Sequence, residues 1–274
     1  MSRPLPPEIH DLIVDFLHDE GSALKACCVV SKSWVPRGRR HLFALIVFHA
    51  HPHTHPHTRP PQIHQWVKTF PDPSKSPAHY TRSLVICGSL AAIAPNVSWI
   101  RAFSDIAQLR LDADDGPHLS LISLRGFSRT LKSLHLSYRS SLPPSETFGF
   151  VCSFPLLEDL FLVPPGNDRM IRKWSIPSTS PKFTGTLDLR PCHGMNTAVR
   201  YLVQLPDGLR FTEIRLFFAS RDAEAVTNLL SNCSETLESL RIGYFMTCEF
   251  SLLASTVGQC LITTCEHSPG YTFD

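Results

Sequence analysis

The chain has 274 residues, of which 43% are hydrophobic, enough to bury a sizeable core in one large domain or two smaller ones. Its 26 Lys and Arg against 24 Asp and Glu leave a formal net charge of +2, which makes no case for nucleic acid or an anionic membrane as partner. No apolar run approaches the roughly 18 to 20 residues that cross a bilayer, so no membrane association is expected. The N-terminus lacks the apolar segment and small-residue cleavage site of a secretory signal. Nine scattered cysteines without a C-x-x-C pair fit reduced thiols, which predicts a cytoplasmic or nuclear protein.

Residues 5 to 43 predict three short helices. Ile9, Leu12, Ile13, Phe16 and Leu17 recur at i, i+3, i+4, i+7 and i+8, one apolar stripe on a first helix whose other face carries Glu8, Asp11, Asp15, Asp19 and Glu20. Pro6 and Pro7 suit its first turn, where a missing amide donor costs little. Gly21 ends it, and Ser22 caps a second helix with Leu24, Cys27, Cys28, Val29 and Val30 on its face, the two cysteines as packed thiols. A third segment runs from Trp34 to Phe43. So few residues make a thin core, and the first stripe is unusually apolar for a free-standing unit. The helices therefore either cap the open end of the larger C-terminal part of the chain or form a partner-binding module.

The next stretch, FHAHPHTHPHTRPP, places His49, His51, His53, His55 and His57 at every second position, a pattern that raises a metal site. Against it, Pro52, Pro56, Pro60 and Pro61 impose irregular or polyproline-like backbone, and no Cys, Asp or Glu joins the histidines. A solvated loop without metal is the expectation. The strand-like run Leu42 to Phe48 offers Leu45 and Val47 as the apolar pair of a first coil, 39 residues before Leu84, and the 13 residues His49 to Pro61 read as an insertion in that irregular repeat, residues 44–80. Gln62 to Phe70 then forms its return segment.

From Leu84 onward one apolar phrase recurs seven times, as Leu84/Ile86, Leu109/Leu111, Leu134/Leu136, Leu160/Leu162, Leu187/Leu189, Ile214/Leu216 and Leu240/Ile242, at intervals of 25, 25, 26, 27, 27 and 26 residues. A period of about 20 to 29 residues is that of a leucine-rich-repeat solenoid, one strand and one return per coil. The return segments read as helices where Asn196 caps Thr197 to Leu205, where Ser220 caps Arg221 to Ser231, and where Pro144 to Glu146 opens a run containing Phe148, Val151 and Cys152. Leu119, Ile122 and Phe127 supply another apolar side, and Pro164 to Lys182 reads as an irregular loop. The Asn that typical repeats place five residues beyond the second leucine is replaced by Ser89, Asp114, Arg139, Pro165, Cys192, Ala219 and Phe245. Only Cys192 fits, so irregular coils are expected.

Alternation along each strand turns Val85, Arg110, His135, Phe161, Asp188, Arg215 and Arg241 outward, flanked by Ser83, Gln108, Ser133, Asp159, Thr186, Glu213 and Ser239. Arg110, His135, Phe161, Asp188, Arg215 and Arg241 are the candidate substrate-binding residues, because aromatics and arginine dominate protein interfaces. After Ile242 the period predicts a strand near residue 267, where no leucine phrase stands, so either Ser251 to Ile262 folds over the end of the stack or the array is incomplete. Catalytic signatures are lacking: no glycine-rich phosphate loop, no G-x-S-x-G, no H-E-x-x-H. The acidic cluster Asp112, Asp114, Asp115 reads as a solvated turn, and Cys248, Cys260, Cys265 and His267 lack zinc-knuckle spacing. The expectation is a binding protein, neither an enzyme nor a cofactor carrier.

The runs Leu5-Pro6-Pro7-Glu8-Ile9, Ile13 to Leu17, Leu24 to Trp34 with its Val30-Ser31-Lys32-Ser33-Trp34 segment, and His41-Leu42-Phe43 resemble an F-box. Followed by leucine-rich repeats, the arrangement is similar to F-box proteins abundant in mushroom-forming (basidiomycete) fungi. The resemblance implies an α/β protein with a three-helix F-box-like module over 1–43 and an irregular leucine-rich-repeat solenoid with a curved parallel sheet over 81–274. It also implies that the helices dock on the Skp-type adaptor of a cullin-based (SCF) ubiquitin ligase while the repeats recruit a protein substrate. Carried over by position, Leu5, Pro6, Ile9, Ile13, Leu17, Leu24, Val30, Ser31 and Trp34 are the adaptor-contacting or module-core set, two roles the sequence does not separate. The alternative is a leucine-rich-repeat interaction scaffold outside any ligase.

Overall fold

The recurring phrase is a recurring strand. In a computed structural model that describes residues 6–50, 62–88, 97–113, 124–127, 129–138, 144–163, 180–190, 195–218, 222–244 and 261–265, the chain is mixed α/β with one open sheet. Its nine strands are β1 (Leu45–Ala50), β2 (Ser83–Gly88), β3 (Gln108–Ala113), β4 (Ser133–Tyr138), β5 (Asp159–Val163), β6 (Thr186–Leu189), β7 (Glu213–Phe218), β8 (Ser239–Tyr244) and β9 (Leu261–Cys265). All pair in parallel with their sequence neighbours, which stacks one coil on the next.

The register joins like to like. Leu84, Leu109, Leu134, Leu160, Leu187, Ile214 and Leu240 form one inward row and Ile86, Leu111, Leu136, Leu162, Leu189, Leu216 and Ile242 a second, none more than 6% exposed. A one-residue slip would turn both rows to solvent, so burial itself holds the register. The return segments supply the opposite wall, among them the helices Pro144–Val151, Met195–Val203 and Ala223–Cys233 with Phe148, Val199 and Leu229 buried. Met195 already lies in the helix, so Asn196 is an interior residue and not its cap. The cap position before Ala223 is held by Asp222 without a side-chain capping bond, while Ser220 lies outside the described residues, as do Leu119, Ile122 and positions 164–179 of the expected irregular loop.

At the strand starts a backbone device recurs, while the positions of the missing Asn, 89, 114, 139, 165, 192, 219 and 245, lie outside the described residues. The Ala44 carbonyl accepts from the amides of Arg82 and Ser83, Arg82 accepts from Ala107 and Gln108, Ala107 from Lys132 and Ser133, and Lys132 from Glu158 and Asp159. Each of these carbonyls thus serves two amides at the start of the next strand, satisfying both donors without a side chain. At β6 the pattern changes hands: Gly185 donates to Glu158 O at 3.1 Å, but the Thr186 amide donates to the Asp159 carboxylate at 2.8 Å. A Cβ at Gly185 would run into that carboxylate and lie 3.2 Å from the Glu158 carbonyl, so a larger residue there would have to displace the Asp159 side chain. Gly185 O then resumes the pattern for Thr212 and Glu213.

Two expectations are corrected. In β1 the inward pair is Ile46 and Phe48, with Leu45 and Val47 exposed, because Ile46 pairs with Leu84. Phe48 meets Trp66, Trp99 and Phe103 edge to face at centroid distances of 5.9, 5.3 and 6.4 Å, an aromatic cluster that decides which face is buried in a strand whose first four residues are all apolar. The insertion after β1 is clipped at its base by the His49 amide donating to Gln62 Oε1 at 3.2 Å, and residues 51–61, with most of the histidine tract, lie outside the described residues. At the other end β9 pairs Ile262 with Leu240 and, after a register shift, Cys265 with Ile242. The array thus continues through a strand that starts earlier than the expected position near residue 267 and is built from β-branched Ile262, Thr263 and Thr264 in place of a leucine phrase.

Ahead of the sheet stand α1 (Pro7–Phe16), α2 (Gly21–Val30) and α3 (Val35–Leu42). Gly38 lets α3 approach α2 closely, since a Cβ there would lie 2.7 Å from Cys28 Sγ. Phe43, just past α3, meets Trp66 edge on at 6.2 Å and so joins the helices to the first coil. The described cysteines Cys27, Cys28, Cys87, Cys152 and Cys233 are thiols outside any disulfide, and among the described residues no helix is long and apolar enough to cross a membrane. The β1 register is checked by paired substitutions followed by urea unfolding: Ile46→Ser is expected to cost roughly 2 to 4 kcal/mol and Leu45→Ser under about 0.5 kcal/mol.

Candidate protein-binding surfaces

α1 docks by the side expected to face solvent. Its one buried residue is Val14, and Asp15 accepts hydrogen bonds from both Arg37 and His41 of α3, at 2.6 Å from Arg37 Nε and 2.7 Å from His41 Nε2. Those bonds, Arg37 foremost, hold the Asp15 carboxyl well below the usual carboxylate range. The clasp therefore stabilises fully above the ordinary carboxyl value of 3.8 and is lost as pH falls from there toward the lowered value. His10, on the same side of α1, meets Trp34 edge on at 5.5 Å.

With that side engaged, the apolar stripe is left open. Ile9 and Ile13 are exposed, and Leu12 and Phe16 stand 64% and 86% exposed beside them. The adaptor-contacting or core set thus divides. Pro6, Ile9, Ile13 and Val30 are at the surface, Leu24 is fully buried, and Leu17, Ser31 and Trp34 are half-buried, with Ser31 Oγ 2.8 Å from Ser33 Oγ. Leu5 lies outside the described residues. Val14 and the Asp15 clasp went unread because an apolar stripe ordinarily marks the buried side.

On the sheet, the register sets the outward residues Val85, Arg110, His135, Phe161, Asp188, Arg215 and Arg241 in one row. The imidazole of His135 stacks on Phe161 with centroids 3.6 Å apart and planes at 16°. Arg190 lies over Phe161 at 5.4 Å and over Phe217 at 4.5 Å, which extends the stack across β4 to β7. Phe217 has room because its neighbour is Gly243, where a Cβ would come within 2.4 Å of the ring. Arg190 and Phe217 follow Leu189 and Leu216 directly, so strand alternation was the signal that would have marked them.

Carboxylates lie beneath this layer. Arg110 Nε donates to Asp112 at 2.7 Å, Arg190 Nε lies 3.0 Å from Asp188, and Arg215 Nε donates to Glu213 at 2.9 Å, with Arg241 Nε 3.5 Å from the same oxygen. The Arg215 bond holds Glu213 below its usual range, whereas burial raises Asp188 against the pull of Arg190 and Arg215. Asp188 is therefore a covered support for arginines, not an open contact. Burial, aided by Arg110, holds His135 down at about 4, so the stacked imidazole is neutral near pH 7. The thiols of half-buried Cys152 and buried Cys233 are likewise quiet, pushed up to about 12 by burial.

Among the described residues no group of three His, Cys, Asp or Glu is placed to hold a metal ion. Comparison with protein-family models gives no match, and comparison with curated proteins gives none either.

Because unfolded His135 takes up its proton near 6.5 and the folded residue only near 4, its contribution to stability is whole above about 6.5 and is lost as pH falls toward 4. Melting temperature followed across that window is expected to fall less steeply in His135→Phe, which keeps the stack without the titrating ring. Equal slopes would refute this account.

Proposed function

We propose that the protein is a non-catalytic substrate receptor of a cullin-based ubiquitin ligase, its F-box-like helices docking on a Skp-type adaptor and its leucine-rich-repeat sheet face holding the protein to be modified. The observation that carries this reading is the open stripe of α1. Four large apolar side chains of one short helix face water while the polar side of the same helix is tied to α3. An exposed apolar face of that kind marks an interaction site. A helix serving only to cap the coil stack would turn its stripe onto the stack. Four arginines and two stacked aromatics on the sheet supply the residue types that dominate protein interfaces.

The test is co-elution of the full chain with a purified Skp-type adaptor. Ile9→Asp and Ile13→Asp are each expected to weaken the complex about tenfold or more while lowering the melting temperature far less than a buried-site change, because both residues are already more than a third exposed. Leu24→Asp is expected to unfold the helices instead, by burying a charge without a partner. Wild-type binding by both isoleucine variants would overturn the assigned surface.

A further inference from the structure

On the sheet face, charge is layered. The side chains of Arg110, Arg190, Arg215 and Arg241 are 51%, 42%, 38% and 53% exposed, whereas those of Asp112, Asp188 and Glu213 beneath them are 25%, 8% and 23% exposed. What a partner meets first is guanidinium. Four guanidiniums rest on three carboxylates because Arg215 and Arg241, register neighbours on β7 and β8, share Glu213. Among the described residues, that pair is where the guanidiniums outnumber the carboxylates they rest on. It borders the ladder in which Arg190 lies between Phe161 and Phe217, with His135 stacked beyond.

We propose that this face takes an acidic peptide segment of a protein partner, one carboxylate bridging Arg215 and Arg241 and a neighbouring aromatic side chain lying on the ladder of Phe161, Arg190 and Phe217. The proposal rests on the reading of this face as the one that recruits the substrate. A guanidinium already oriented by a carboxylate beneath it presents its remaining N–H donors outward at little cost in side-chain entropy, and a partner carboxylate meets them at short range. Nucleic acid is disfavoured by the same layering, since its affinity comes from many uncompensated cations releasing counterions, and here each arginine stands over its own or a shared carboxylate. Phe217 holds its place over Gly243, so the ladder is a preformed platform and loses little freedom on binding.

The experiment is selection of a random dodecapeptide display library on the immobilised full chain. Expected are sequences enriched in Asp and Glu about twofold or more over the starting pool and carrying an aromatic residue. Synthetic copies are expected to lose about tenfold or more in affinity against Arg215→Gln/Arg241→Gln, and again when their own carboxylates are replaced by amides. Phe217→Ala, a half-exposed position, provides a second variant and is expected to weaken the same peptides. Neutral or basic selected peptides, no selection at all, or affinity unchanged in both variants would overturn the proposal, as would an oligonucleotide that binds more tightly than any peptide and is lost in the same variants. Adaptor binding measured on these proteins separates the two readings. It is unaffected by sheet-face substitutions if the proposal alone fails, and lacking even in the wild-type chain if the ligase reading fails.

Discussion

Two rows of aliphatic side chains, locked strand to strand, decide everything that lies on the other side of the sheet. No single strand buries its own pair, because the inward side chains of all the strands join those of the return segments in one continuous core. Once the rows are in register, side-chain alternation turns every intervening residue outward at the same height. Residues roughly 26 positions apart thereby become neighbours, His135 beside Phe161 and Arg215 beside Arg241. The doubly used carbonyl at the starts of β2 to β5, β7 and β8 reinforces this lock and needs no particular side chain.

The helices show the opposite economy. α1 contributes a single fully buried side chain, Val14, and is held by the Asp15 clasp and the His10 contact with Trp34. A partly exposed ion pair adds modestly to stability, so α1 is attached by its least apolar side and keeps its most apolar side free. That inversion makes sense if the missing burial is completed by another protein, where the same four side chains become an interface core.

The sheet face and the helix stripe are chemically different surfaces, one of layered guanidiniums and stacked rings, the other aliphatic with one phenyl ring. Surfaces so unlike fit unlike partners, and α1 to α3 lie at the β1 end while the arginine excess lies on β7 and β8. On the proposed reading, the chain would hold two proteins without either competing for the other's site.

Much of this was legible in the sequence. The spacing of the seven pairs is a local property of the chain, and with period-two alternation it fixes the parallel order, the inward rows and the outward row from Val85 to Arg241. At β1 that signal is silent, because Leu45, Ile46, Val47 and Phe48 are all apolar and either alternation fits; only the aromatic cluster of Trp66, Trp99 and Phe103, assembled from distant segments, chooses Ile46 and Phe48. β9 lacked the phrase altogether. The docking side of α1 was likewise decided in three dimensions, since a hydrophobic stripe says that a helix has a partner but not whether that partner belongs to the same chain. Spacing and alternation along the chain say which residues share a face; packing in three dimensions selects which of them interlock, because the stacking of Arg190 between Phe161 and Phe217 and the covering of Asp188 depend on distances that no spacing along the chain records.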